Sequence, residues 1–153
     1  STKEYSDLIQ AYIKKSNLNN CEVISDNKIK SHILKKSVFA VAKSGTVSLE
    51  ICNAKIPSII IYKMGLINFL IIKMLVKTKY ANILNIAANE EIIPELLQSN
   101  CNPKKIFDHV SNFLDNPKKI ESQVKKTQSI LNNFRTNKSA SEQTALALNK
   151  FLN

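Results

Sequence analysis

The chain has 153 residues, 44% of them hydrophobic, and a formal net charge of +10. That length suits one domain with a buried core and appended helices, and the hydrophobic fraction excludes a disordered chain. The charge invites a nucleic-acid reading, but Arg135 is the single arginine among 22 basic residues, and recognition of bases and phosphate forks favours arginine.

Residues 4–15 predict a helix, with Tyr5, Leu8, Ile9, Tyr12 and Ile13 at helical spacing. "NLNN" breaks it, and "CEVIS" (21–25) predicts a short strand. Residues 27–37 predict a second helix, with Ile29, Ile33 and Leu34 on one face. "VFAVAK" (38–43) suits a buried strand, residues 46–55 a helix, and "PSIIIYK" (57–63) another buried strand. Near-continuous apolar runs separated by helices mark a parallel sheet covered on both faces. "LINFLIIKMLVK" (66–77) is apolar almost all round, interrupted by Lys73, and shorter than the roughly 20 residues that span a bilayer. It reads either as a core or interface helix or as a helix docking at a membrane surface. A further helix starts at 91–99. Two Asn-Pro-Lys-Lys openings, at Asn102 and Asn116, put proline at the first helical position of helices over 103–115 and 116–134. Residues 139–152 predict the last helix, with Ser139 or Ser141 as N-cap. The order is that of an α/β chain with a parallel sheet and flanking helices. A doubly wound sheet normally begins on a strand and has more than three, so a missing amino-terminal portion is expected.

Cys21, Cys52 and Cys101 are widely spaced, with no Cys-x-x-Cys, and read as reduced intracellular thiols. His32 and His109 are far apart, so no metal site is expected. "STKEYSDLIQ" is polar and helical, unlike a signal peptide. The absence of an initiator Met points to a processed product or a piece of something longer. The abundance of Lys, Asn and Ile fits an A/T-rich coding bias, which raises charge without a function. Weak attraction to an anionic membrane surface or a phosphorylated ligand fits the charge better than nucleic acid, since no stripe of interleaved aromatic and basic residues is present.

The chain has two glycines, and Gly45 falls where the strand at 38–43 turns into a helix. Ligands of parallel α/β sheets bind beyond the carboxyl ends of the strands. A helix N-terminus there offers unpaired N–H groups and about half a positive charge, which suits phosphate. Gly45 lacks a Cβ that would hold a phosphate off the backbone, and Ser44 and Thr46 add hydroxyls. Glu50 is four residues past Thr46, one turn down the same face. A capping box would put the acid at Leu49, so Glu50 is not explained as one. Pyrophosphate at the helix tip with ribose on the acid is the geometry of a nucleoside diphosphate. A tight turn with a capping hydroxyl and a solvent-facing Glu is the plain alternative.

"SGTVSLEICNAKIPSIIIYKM", then an apolar helix, "LVKTKY", "NILNIAANEEIIPELLQ" and "SEQTALAL", resembles the lipid-A-disaccharide synthases. The likeness covers nearly the whole chain and is strongest over residues 40–100. It implies an inverting, metal-independent glycosyltransferase of the GT-B type, with two Rossmann-like domains and no cofactor. Such enzymes join UDP-2,3-diacylglucosamine to 2,3-diacylglucosamine 1-phosphate, releasing UDP, at the cytoplasmic face of the inner membrane of Gram-negative bacteria. The chain looks like the carboxyl-terminal, UDP-binding half, without the amino-terminal acceptor domain and its general base. The resemblance implies that Ser44, Gly45 and Thr46 face the UDP pyrophosphate and Glu50 the ribose, with Asn85 at the donor site. It implies that Tyr62, Lys63, Met64, Phe69 and Lys73 lie near acyl chains or the membrane. Residues 1–134 would form an incomplete UDP-sugar-binding domain. Residues 135–153 would form a helical tail packing on the other domain or on a second copy in a homodimer. Leu84 stands where the family usually has Pro, and Ala88-Asn89-Glu90 where it usually reads Ala-Gly-Arg. A non-catalytic remnant or interaction module of the same fold is the second reading.

Overall fold

The computed structural model describes residues 3–75, 77–135 and 139–152, without the side chains at 3, 4, 27, 72, 73, 140 and 150–152. The chain divides into two compact units, Ser1–Phe39 and Ala40–Asn153. The first unit carries α1 (Lys3–Lys15) and α2 (Asn27–Lys36). Asp26 caps α2, its carboxylate accepting from the N–H groups of Lys28 and Ile29 at 2.7 and 3.1 Å. The apolar stripe of α1 lies open, with Tyr5, Leu8 and Tyr12 each more than half exposed. The strand expected over 21–25 does not form, and the segment is irregular. A strand needs a ladder partner, and among the described residues none pairs with it.

The second unit is built on an open sheet of three parallel strands, β1 (Ala40–Lys43), β2 (Ser58–Tyr62) and β3 (Glu95–Leu97), in that spatial order. Ala40 pairs with Ser58 and Lys43 with Ile61, while Ile60 pairs with Glu95 and Tyr62 with Leu97. Helix α3 (Thr46–Asn53) joins β1 to β2, and α4 (Leu66–Leu75) and α5 (Ile83–Ala88) lie between β2 and β3. The third strand replaces the helix expected over 91–99. Pro94 decides the outcome: it has no N–H to donate and disfavours helical backbone at Ile93, while its carbonyl accepts from the Ile60 N–H at 2.9 Å. The chain then turns through a short 3-10 segment at Gln98–Asn100 into α6 (Pro103–Leu114), α7 (Pro117–Phe134) and α8 (Ala140–Leu152). The two Asn-Pro-Lys-Lys openings both start helices, yet they cap differently. Asn102 accepts from the Lys105 N–H at 3.0 Å, whereas Asn116 turns back to donate to the Asn112 carbonyl at 2.7 Å.

The core sits where β2 meets α3, α5 and α7. Ile59, Ile60, Leu84 and Ile93 are fully buried, with Ile51, Cys52, Ile56 and Leu96 around them. Helix α7 packs on α3, α5 and α6 and reaches the start of β2. It does so with a polar anchor. The Gln123 amide, 5% exposed, accepts from the Ser58 N–H at 2.7 Å and donates to the Ser58 and Ile92 carbonyls at 3.0 and 3.2 Å. Gln128 extends the seam by donating to the Cys52 carbonyl at 2.6 Å. Replacing Gln123 by Ala strands buried backbone groups at the start of β2. Gln123→Ala is expected to lower unfolding free energy by about 2–4 kcal/mol, against under about 0.5 kcal/mol for exposed Glu121→Ala, both read by urea denaturation.

Burial pushes the Cys52 thiol up from 9.0 to about 11. The unfolded thiol ionises first, so above pH 9 the native state binds more protons and stability falls as pH rises through about 11. In Cys52→Ala that part of the fall is expected to vanish, a difference of roughly 3 kcal/mol at most between the two pH profiles.

Candidate functional site

Ser44, Gly45 and Thr46 stand at the carboxyl end of β1, where the strand turns into α3. Gly45 is the N-cap, with φ 143° and ψ −165°, a backbone that residues with a Cβ rarely adopt. Nothing lies within 4 Å of where its Cβ would be, so conformation within the chain, not crowding, selects glycine here. Ser48 secures the turn from below: its buried hydroxyl donates to the Gly45 carbonyl at 2.6 Å. Gly45 and Thr46 are exposed, which leaves the positive end of α3 facing outward. Glu50 is exposed on the next turn of α3.

Beside this helix tip lies a cleft of about 620 Å³. Its walls come from the carboxyl ends of all three strands, through Lys43, Tyr62 and Leu97, and from Ser44, Met64 and Gln98 just beyond them. Phe69 of α4 and the loop at 78–81 close the other side. The Lys43 ammonium sits 5.0 Å from the Tyr62 ring centre, and that of Lys79 lies 5.3 Å from the Tyr80 ring centre. Each is a cation–π contact that holds a positive charge at the cleft.

Polar bonds hold the loop. The Ser44 hydroxyl donates across the cleft edge to the Ala81 carbonyl at 2.8 Å. The Glu95 carboxylate accepts from the Ala81 and Asn82 N–H groups at 2.7 and 2.9 Å. Asn85, fully buried, stands beneath. Its amide donates to the Ile93 carbonyl and to Glu95, both at 2.7 Å, and accepts from the Ile92 and Ile93 N–H groups at 2.9 Å. On the other wall Gln98 grips the Met64 backbone, accepting from its N–H at 2.9 Å and donating to its carbonyl at 3.3 Å.

The fold thus brings Ser44, Tyr62, Met64 and Phe69 onto one cleft, with Gly45 and Thr46 adjoining it. Lys63 is exposed and is not part of that lining, Glu50 lies along α3, and the Lys73 side chain falls outside the described residues. Asn85 has no exposed atom, so it reaches a ligand only through the loop that it holds. Lys43, Tyr80, Glu95 and Gln98 were not anticipated, and Lys79, expected to face lipid phosphates beside the apolar helix, lies on the cleft. Lys-x-Lys-Tyr at 77–80 was the one visible signal, a basic and aromatic pair in a short loop. Among the described residues no three His, Cys, Asp or Glu side chains converge as metal ligands.

Residues 1–150 match the family described as lipid-A-disaccharide synthetase. The chain is 36% identical over 128 residues to the lipid-A-disaccharide synthase of Rickettsia bellii, covering 84% of this chain and 32% of that protein. It is 41% identical over 113 residues to the Rickettsia canadensis protein, covering 74% and 29%. The chain belongs to the lipid-A-disaccharide synthetase family. It spans about a third of the length of these relatives.

Leu84, Asn89 and Glu90 are the positions that depart from the pattern the resemblance implies. Asn89 is the C-cap of α5 in left-handed backbone, φ 50° and ψ 30°. Asn is the residue that best tolerates this conformation after Gly. Glu90 pairs with Lys126 of α7 and does not line the cleft. Leu84 is fully buried, and its N–H donates to Asn82 at 2.9 Å, a bond no proline makes.

Removing the carboxylate in Glu95→Ala leaves the Ala81 and Asn82 N–H groups and the Asn85 amide without their acceptor. The expected result is a loss of about 2–4 kcal/mol and at least about tenfold faster hydrogen exchange at the Ala81 and Asn82 amides.

Proposed function

We propose that this chain is the carboxyl-terminal, donor-binding part of a lipid-A-disaccharide synthase, a GT-B glycosyltransferase of lipid A and lipopolysaccharide biosynthesis. The reaction transfers 2,3-diacylglucosamine from UDP to 2,3-diacylglucosamine 1-phosphate. The observation that carries the reading is the exposed, glycine-capped tip of α3 at the carboxyl edge of a parallel sheet, in a chain of this family. The N–H groups and partial charge of that tip, with the Thr46 hydroxyl, would hold the pyrophosphate, and Glu50 would accept from the ribose hydroxyls. Ser44 and Asn85 serve the site by fixing the 78–82 loop, and Lys43 and Lys79 add positive charge.

In the transfer, the acceptor hydroxyl oxygen bonds to the anomeric carbon as the bond from that carbon to the UDP oxygen breaks. The acceptor proton passes to a base supplied by an amino-terminal acceptor domain, and the departing UDP takes the electron pair. The α3 tip stabilises that developing charge. Residues 1–134 form the incomplete UDP-sugar domain in this reading, and residues 135–153 pack on the acceptor domain or on a second copy.

The substrates are acylated, so the work is at the cytoplasmic face of the inner membrane. Helix α4 suits a peripheral contact there. Leu66, Ile67, Met74 and Leu75 are between 72 and 83% exposed, with exposed Lys63, Lys77 and Lys79 nearby in the chain. No helix among the described residues is long and apolar enough to cross a membrane.

Calorimetric titration of the folded chain is expected to show UDP binding, weaker binding of GDP, and a loss of about tenfold or more in affinity for UDP in Glu50→Ala. A folded chain that binds neither nucleotide would overturn the donor role and favour a non-catalytic module of the same fold.

A further inference from the structure

The Ser44 hydroxyl has one hydrogen, and the loop at 78–82 holds it. Ser44 stands directly before the Gly45 N-cap of α3, half-buried on the lining of the cleft, and donates to the Ala81 carbonyl at 2.8 Å. A serine hydroxyl donates once and accepts twice. Phosphate oxygens accept, as the Ala81 carbonyl does, so an anion at the α3 tip and the loop compete for that one hydrogen. The competition is unequal. A hydrogen bond to an ionised oxygen is roughly twice as strong as one to a neutral carbonyl. The carbonyl is also the negative end of a peptide dipole, which an anion beside it repels. The far end of the loop carries a defect of its own. Asn82 is fully buried and its Oδ1 accepts from the Leu84 N–H at 2.9 Å, but its Nδ2 has no hydrogen-bond partner among the described residues. A buried donor without an acceptor raises the free energy of this arrangement, and a released loop lets water reach it.

We propose that Ser44 is an anion-operated latch: phosphate at the α3 tip takes the hydroxyl hydrogen from the Ala81 carbonyl and releases the loop side of the cleft. The assignment rests on the donor reading and deepens it, since it makes Ser44 a positioning residue that answers to the ligand rather than a fixed phosphate ligand. Release is partial. The Glu95 carboxylate keeps the Ala81 and Asn82 N–H groups, so the loop stays tied to β3 while its tie to the α3 tip is broken. Thr78, Lys79 and Tyr80 line the cleft, so the wall that they form changes with the charge at the tip. With the anion gone, the hydroxyl returns to the carbonyl and the wall is restored. One hydrogen atom thus couples occupancy of the tip to the shape of the cleft.

The test follows hydrogen exchange at the Ala81 and Asn82 amides of the full chain, at constant ionic strength, with inorganic pyrophosphate, UDP or uridine. Calorimetry sets the concentration at which each anion saturates. Saturating pyrophosphate or UDP is expected to speed exchange at these amides by about fivefold, the size of one neutral hydrogen bond, and uridine to leave it unchanged. A ligand that merely covered or stiffened the loop would slow it. Ser44→Ala is expected to exchange about fivefold faster without ligand and to show no further rise with pyrophosphate. Thr46→Ala, which removes a hydroxyl from the tip and spares the latch, should need about fivefold more pyrophosphate and reach the full rise at saturation. Circular dichroism checks that each variant is folded. Exchange that slows or stays unchanged when pyrophosphate saturates the unaltered chain overturns the latch and leaves the donor role standing. An equal rise in Ser44→Ala and in the unaltered chain does the same. A folded chain that binds neither pyrophosphate nor UDP overturns both.

Discussion

One buried amide holds the functional edge of the sheet together. Asn85 uses both donor hydrogens and its acceptor oxygen inside the protein, on Ile92, Ile93 and Glu95. Glu95, so oriented, holds the N–H groups of Ala81 and Asn82. The chain from Asn85 to the cleft is thus only two side chains long. Burying an unpaired amide is costly, and burying a satisfied one fixes a geometry that apolar packing alone leaves soft. Tyr80 is half-buried, Thr78 and Lys79 are exposed, and the bond from Ser44 meets the loop from the opposite side. The loop stands against the cleft because Ser44, just past β1, bonds the Ala81 carbonyl and Glu95 of β3 holds the Ala81 and Asn82 N–H groups.

The same logic operates at the start of β2. A three-stranded open sheet has few apolar residues with which to hold a helix against it. Helix α7 is rich in lysine, yet Gln123 and Thr127 are buried in it. Gln123 completes the backbone pairing at the entrance to β2, and Asn85 completes it before β3. Two side-chain amides therefore do what further strands would do elsewhere. They satisfy main-chain groups at strand ends and in doing so fix which helix lies where.

The sequence was most legible where periodicity and punctuation agree. Pro103 and Pro117 marked α6 and α7, and the apolar runs at 38–43 and 57–63 marked β1 and β2, with ends trimmed to Ala40–Lys43 and Ser58–Tyr62. Ser44-Gly45-Thr46 was legible as a strand-to-helix turn because a glycine in so glycine-poor a chain is informative. The reading failed at 21–25 and 91–99, and for one cause. Whether a short apolar run becomes a strand depends on a neighbour to pair with, which no local pattern reports. "CEVIS" lacks one among the described residues, and "ELL" finds β2. Most of the cleft was hidden for the same reason. Lys43 and Tyr62 meet because β1 and β2 are adjacent, and Gln98 reaches Met64 across 34 residues.

Leu84, Asn89 and Glu90, the three departures from the pattern the resemblance implies, show how a local difference is judged by its surroundings. Reversing charge at Glu90 reads, in sequence alone, as damage to an anion site. In the fold that side chain belongs to the contact between the end of α5 and α7, where Lys126 meets it. Asn89 keeps the left-handed cap that glycine would supply, so α5 still ends where Asn85 and Glu95 need it to end. Leu84 fills the core and contributes an N–H that Asn82 accepts, which strengthens the start of the same short helix. All three changes fall on α5 or at its ends, and each is absorbed by a neighbour that is itself part of the helix or of α7. The geometry of the cleft follows from where that six-residue helix begins and ends beneath the loop.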